Sequence, residues 1–293
     1  TLPWLTLGGA AVALMYQQRQ LNAHNRQIQA LQWHIQKNGT VHKPQLIILM
    51  RHGESEANVD AAKYGNKGDP QVELTDTGRL QAKEAGGKIA ELVRGRAVAT
   101  FVSPYVRTRQ TAEEVLSRLR SAGITLTMQR EDPRLREREF SGTFQRERPD
   151  TSEAEQYSRF FWRPPGGESC ADVYDRVSSF MTTLWRCFGR HSSLEDGVAL
   201  IISHGLTVRI LAMRWLNWTP EMFLASWNPG NCGMLVLERQ PPDASGSDWY
   251  NLTADSLTAL GLGGEEADRQ LRFRQTLAPH FHHGSVDDLE PMS

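Results

Sequence analysis

Hydrophobic and polar positions divide the chain into three zones. Leu2 to Tyr16 is almost wholly apolar, and the first charged residue is Arg19. A Gln-rich stretch follows, in which Leu14, Leu21, Ile28 and Ile35 recur every seven residues, with Leu31 beside the last two. Proline is absent from Leu5 to Lys37. This zone, residues 1–43, predicts one long helix, apolar at its start and amphipathic later, that stops at Asn38-Gly39.

The second zone alternates short apolar runs with helical periodicity. Leu46–Met50, Val98–Val102, Ile124–Met128, Val198–Ile202 and Met234–Leu237 have the length of strands. Helices are predicted over Leu74–Val93, Pro104–Arg120, Ser169–Phe188 and Leu206–Leu216. In the third of these, Ala171, Val173, Val177, Phe180, Met181 and Leu184 form the inner side. The alternation predicts an α/β fold, a three-layer α/β/α arrangement around a mostly parallel sheet, preceded by the N-terminal helix. After Gln240 the chain turns Pro-, Asp- and Gly-rich, with a short helix expected around Asp255–Leu260. The folded domain is drawn at 44–262, and 263–293 reads as a polar tail.

Composition narrows the function classes. Lys plus Arg number 33 and Asp plus Glu 34, so the formal charge is −1 and no basic surplus exists for nucleic acid. Cys170, Cys187 and Cys232 are too few and too scattered for a disulfide framework or a zinc site. His280, His282 and His283 cluster in the tail, where a metal role is not expected. No metal or cofactor is called for.

The informative feature is doubled. LIILM runs into Arg51-His52-Gly53, and ALIIS into His204-Gly205. In open α/β sheets ligands bind outside the carboxyl ends of the strands. If the two strands are neighbours, two imidazoles share one crevice, and the helix N-terminus after each suits an anion. A third strand end supplies Arg107, and a fourth leads into Arg134-Leu135-Arg136-Glu137-Arg138. Two histidines, two arginines and a carboxyl group are what phosphoryl transfer without a metal requires. The arginines bind phosphate oxygens, an imidazole attacks phosphorus, and a carboxylic acid protonates the leaving oxygen. Glu54 and Glu139 are alternatives to Glu137 as that acid. Arg109, Arg136 and Arg138 read as solvated or structural charges.

On these residues the sequence resembles the histidine phosphatase superfamily, in its phosphoglycerate-mutase-like branch. The matching stretches are LMRHGESEAN (49–58), LTDTGRLQA (74–82), SPYVRTRQTA (103–112), PRLRERE (133–139), PPGGESCADVYDRV (164–177) and SHGLTVRILAMRW (203–215). NCGMLVLER (231–239) and the GGES-ADVYDR helix look like plant and fungal members with broad phosphatase activity. The resemblance implies that His52 takes the phosphoryl group, that Arg51, Arg107 and Asn58 lie at the phosphate, and that Gly205 offers a backbone N–H. It also implies that His204 contacts the transferred group and that Glu137 is the general acid. The substrate would be a phosphorylated small molecule or a phosphoprotein. A Tyr-Gly-x-Leu-x-Gly-x-Asn-Lys run typical of true mutases is missing, which favours phosphatase over mutase. The stretch Phe140-Ser141-Gly142-Thr143-Phe144-Gln145 carries one residue more than relatives commonly show.

Residues 1–40 pose a separate question. As a helix, Leu2–Tyr16 spans about 22 Å at about 1.5 Å per residue, short of a hydrocarbon core of about 30 Å. Trp4 and Tyr16 suit interfacial anchors. The expectation is a membrane anchor, with a helix packed on a membrane-protein partner and a targeting remnant as alternatives. The chain opens on Thr1, which suggests that a presequence or a start has been removed. By analogy of layout with mitochondrial members of the superfamily, the expected location is an organelle membrane, mitochondrial ahead of chloroplast. In a second reading the domain is an accessory subunit of a membrane complex, its activity incidental or lost.

Overall fold

The computed structural model describes residues 42–60, 62–63, 68–140, 158–191, 194–241 and 250–262. The predicted N-terminal helix, the stretch 141–145 and the tail with its three histidines lie outside them. Among the described residues no helix is long and apolar enough to cross a membrane.

Strand β1 (Leu46–Arg51) leads through a short helix α1 (Glu56–Val59) and a 3-10 turn (Asp69–Gln71) into α2 (Asp76–Val93). Then come β2 (Val98–Val102), α3 (Val106–Ser121), β3 (Leu126–Glu131) and a second 3-10 turn (Pro133–Leu135). The remainder is α4 (Cys170–Arg190), β4 (Val198–Ser203), α5 (Gly205–Leu216), α6 (Pro220–Ala225), β5 (Met234–Arg239), β6 (Tyr250–Leu252) and α7 (Ala254–Ala259). The strands form one sheet in the order β3-β2-β4-β1-β5-β6.

The period-2 alternation of side chains sorts the strand residues between two cores. Ile47, Leu49, Phe101, Ile201 and Leu237 face α4 and α5, while Ile48, Met50, Val102, Leu200 and Ile202 face α2 and α3. Of the predicted inner side of α4, Val173, Val177, Phe180, Met181 and Leu184 are buried and Ala171 is partly so. These layers are the predicted three. The sheet itself is mixed: β3, β2, β4 and β1 are parallel, but β5 runs antiparallel to β1 and β6 antiparallel to β5. Strand β3 extends three residues past its predicted end. As an edge strand it pairs only with β2, so Gln129, Arg130 and Glu131 need no apolar character.

The order places the site. Strand β4 lies between β1 and β2, paired in register so that Arg51 stands opposite Ser203. From β1 the chain departs to α2 on one face, and from β4 to α5 on the other. A crevice must open where the two connections diverge, and the residues that follow Arg51 and Ser203 are His52 and His204.

The loop after β1 is pinned by backbone contact. A Cβ at Gly78 would stand 2.0 Å from the Glu54 carbonyl oxygen, and one at Gly53 would stand 2.5 Å from that of Gly78. Thr75 caps α2 by accepting the Gly78 N–H at 3.0 Å and donates its hydroxyl proton to Glu54 at 2.7 Å. Gly78→Ala is therefore expected to push the His52 loop aside. The expected cost is about 1–3 kcal/mol, the usual penalty of overpacking, read as a lower urea midpoint. An unchanged midpoint would show that the loop can yield.

Candidate active site

His52 is 3% exposed and His204 fully buried. Their rings meet edge-on with centroids 5.2 Å apart. His52 Nδ1 lies 2.7 Å from the carbonyl oxygen of Gly53. A carbonyl only accepts, so Nδ1 carries the proton and Nε2 the lone pair. That lone pair points at Arg107, whose Nε donates to it at 3.3 Å. Burial holds the His52 pKa well below its ordinary 6.5, and the Arg107 and Arg51 charges add to the effect. Both effects favour the neutral imidazole over the charged one.

The loop that presents His52 is organised from α3. Arg107 and Thr111 stand one helical turn apart, and Thr111 accepts the Gly53 N–H at 3.1 Å. Arg107 is 1% exposed, the largest fully buried side chain of the described residues. Its guanidinium lies 5.1 Å from the Tyr105 ring centroid. Arg51 donates to the Pro229 carbonyl at 2.9 Å, and its charge reaches both imidazoles.

His204 Nε2 is 2.8 Å from the Ser103 hydroxyl. With that hydroxyl donating, the ring proton sits on Nδ1. Nδ1 is buried without a hydrogen-bond partner and lies 4.0 Å from Glu137 Oε2. It is a donor ready for an oxygen that enters between them. Burial, then the Arg107 charge and His52, hold His204 neutral as well.

Glu137 has 20% of its side chain exposed, and burial raises its pKa above the usual 4.5. The Arg138 N–H, which its Oε1 accepts at 2.9 Å, and the Arg107 charge oppose that rise. The segment carrying Glu137 is clamped from both sides. Ser203 and Thr207 donate to the carbonyls of Leu135 and Arg136 at 2.6 and 3.0 Å. From α4, Arg176 donates to the carbonyls of Arg134 and Glu137 at 2.6 and 3.1 Å and pairs with Glu168. Glu168 also takes Arg136 and accepts the Glu139 N–H at 3.1 Å.

Of the residues singled out in the sequence, His52, His204, Arg107, Arg51 and Glu137 converge. Gly205 opens α5, whose first amides have no intrahelical acceptor. Asn58 is exposed, and its side-chain oxygen accepts from the Ser55 N–H and hydroxyl at 3.0 and 3.1 Å, closing α1. The described contacts tie it to that turn rather than to the histidines. Glu54 is taken by Thr75 and Glu139 is exposed, so neither alternative acid lies at His204. Arg109 pairs with Glu131 at the surface, and Arg138 donates to the Glu168 carbonyl. Sequence reasoning missed Ser103, Asp69, Glu168 and Arg176, each of which acts through at least one partner distant in the chain.

Two histidines stand at the ends of neighbouring parallel strands, with a buried arginine bonded to the first and a carboxyl 4.0 Å from the second. The chain belongs to the histidine phosphatase superfamily (branch 1), whose family model matches residues 47–251. It is 41% identical over 250 residues to Phosphoglycerate mutase-like protein AT74 of Arabidopsis thaliana, covering 78% of this chain and 76% of that protein. It is 25% identical over 287 residues to Broad-range acid phosphatase DET1 of Saccharomyces cerevisiae, covering 67% and 86%. The fold is shared with a mycobacterial glucosyl-3-phosphoglycerate phosphatase, with a TM-score of 0.53 and 23% identity over 71% of this chain and 97% of that one.

Proposed function

We propose that this chain is a phosphomonoesterase that works through a phosphohistidine on His52. The observation that carries the reading is the buried His52 with its Nε2 3.3 Å from the buried Arg107 guanidinium. Nε2 attacks phosphorus, the bond to the leaving oxygen breaks, and Glu137 gives that oxygen its proton. Arg51, Arg107 and His204 Nδ1–H bind the oxygens of the transferred group, with the Gly205 amide beside them. Water then attacks the phosphohistidine, its proton passes to the Glu137 carboxylate, and phosphate leaves. The guanidiniums supply the positive charge that a metal supplies in other phosphatases.

The substrate class is a phosphorylated small molecule or phosphoprotein, and the similarity to a broad-range acid phosphatase supports acidic working conditions. The full chain is expected to release phosphate from aryl and alkyl phosphates in the presence of EDTA, fastest at acidic pH. No release from any ester between about pH 4 and 8, the range in which such groups titrate, would remove the enzyme reading.

A further inference from the structure

Arg107 is held at one end by a residue from an unexpected quarter. Asp69 opens the 3-10 turn that precedes α2, with Pro70 behind it fixing the backbone. Arg107 NH1 donates to the Asp69 carbonyl at 2.7 Å and stands 2.8 Å from Asp69 Oδ1. A guanidinium gripped at NH1 cannot swivel. Its other edge is Nε with NH2, and Nε is the atom that meets His52 Nε2 at 3.3 Å.

We propose that Asp69 is a positioning residue of the phosphoryl-transfer site: it turns the Nε/NH2 edge of Arg107 toward the nucleophile and balances that arginine's charge until phosphate arrives. The proposal rests on the phosphatase reading above. A buried cation without a counter-charge is costly, and Asp69 meets that need in the empty site. The same carboxylate opposes an incoming dianion, so it weakens phosphate binding while keeping the arginine aligned.

Its charge also reaches Glu137. The groups acting on that carboxyl are the Arg138 amide from its own segment, Arg107 from α3 and Tyr105 just before it, Arg176 and Cys170 from α4, Asp69 from the 3-10 turn and His204 from the end of β4. Asp69 works against the two arginines and helps keep Glu137 protonated.

The test compares Asp69→Asn and Asp69→Glu with the wild-type full chain. Asp69→Asn keeps an acceptor oxygen and loses the charge. It is expected to bind inorganic phosphate roughly tenfold tighter by calorimetry. It is also expected to lower kcat on an alkyl phosphate, with the basic limb of the pH profile moved to lower pH. Asp69→Glu should return both limb and phosphate affinity toward wild type. If Asp69→Asn instead loosens phosphate, lowers kcat without moving the limb, and is not rescued by Asp69→Glu, the residue is only a strut and the proposal fails. A wild-type chain that binds phosphate but hydrolyses nothing overturns the phosphatase reading. The calorimetric comparison still decides whether Asp69 competes with phosphate for Arg107.

Discussion

His52→Ala is expected to lower kcat on every phosphate ester by about four orders of magnitude or more, the scale on which loss of an enzyme nucleophile acts. It should also erase a covalent intermediate. Wild-type chain mixed briefly with a labelled aryl phosphate and quenched in alkali should carry label that acid removes, the signature of a phosphoramidate bond. His52→Ala should carry none. His204→Asn should still be labelled, but slowly, because it keeps the nucleophile and loses a donor to the transferred oxygens, a loss of about 10²–10³-fold. The asymmetry follows from the two tautomers. His52 is fixed by the Gly53 carbonyl with its lone pair at Nε2, toward Arg107. His204 is bonded at Nε2 to Ser103, which leaves Nδ1–H facing Glu137. Label that persists in His52→Ala, or that moves to a residue other than these two, would reverse the assignment.

Part of this site was legible in the sequence because strand ends announce themselves. LIILM and ALIIS have the length and apolarity of buried strands, and each delivers a histidine at the edge where α/β sheets bind ligands. Nothing in the two runs fixes their adjacency, which comes from the in-register pairing of β1 with β4. Strand direction was not legible: MLVLER reads the same whichever way it runs, and β5 runs against its neighbour. Strand β6 is three residues long in a turn-rich stretch. It is held by Tyr250, whose hydroxyl donates to the Pro44 carbonyl at 2.6 Å, a contact with no local signature.

The partners of the catalytic set were hidden for a related reason. The chain holds 33 basic and 34 acidic side chains, so charge alone cannot say which pairs form. Glu168 gathers Arg136 and Arg176, and Asp69 takes Arg107, only because separate elements meet at one sheet edge. Asn58, in the Arg-His-Gly-Glu-Ser stretch, accepts the Ser55 N–H with its side-chain oxygen and so caps α1.

Glu137→Gln should separate esters by their leaving groups. An alkoxide must be protonated as it departs, whereas a nitrophenolate leaves without help. The variant is therefore expected to lose about 10²–10⁴-fold on an alkyl phosphate, the usual worth of a positioned general acid, and far less in phosphoryl transfer to His52 from nitrophenyl phosphate. The pH profile should change with it. Burial raises the Glu137 pKa above 4.5, so the acid stays protonated into mildly acidic solution and is lost as pH climbs past that raised value. His52, held well below 6.5, is neutral across the same range. Activity on the alkyl ester should thus fall on the basic side through Glu137. A glutamine cannot release a proton at any pH, so that limb should flatten in the variant. Equal losses on both esters, with the limb intact, would point to another acid. Glu54 and Glu139 are poor replacements: the first is bonded to the Thr75 hydroxyl at 2.7 Å, and the second is exposed. Among the described residues, Glu137 alone combines a carboxyl whose pKa burial raises with a place 4.0 Å from His204 Nδ1.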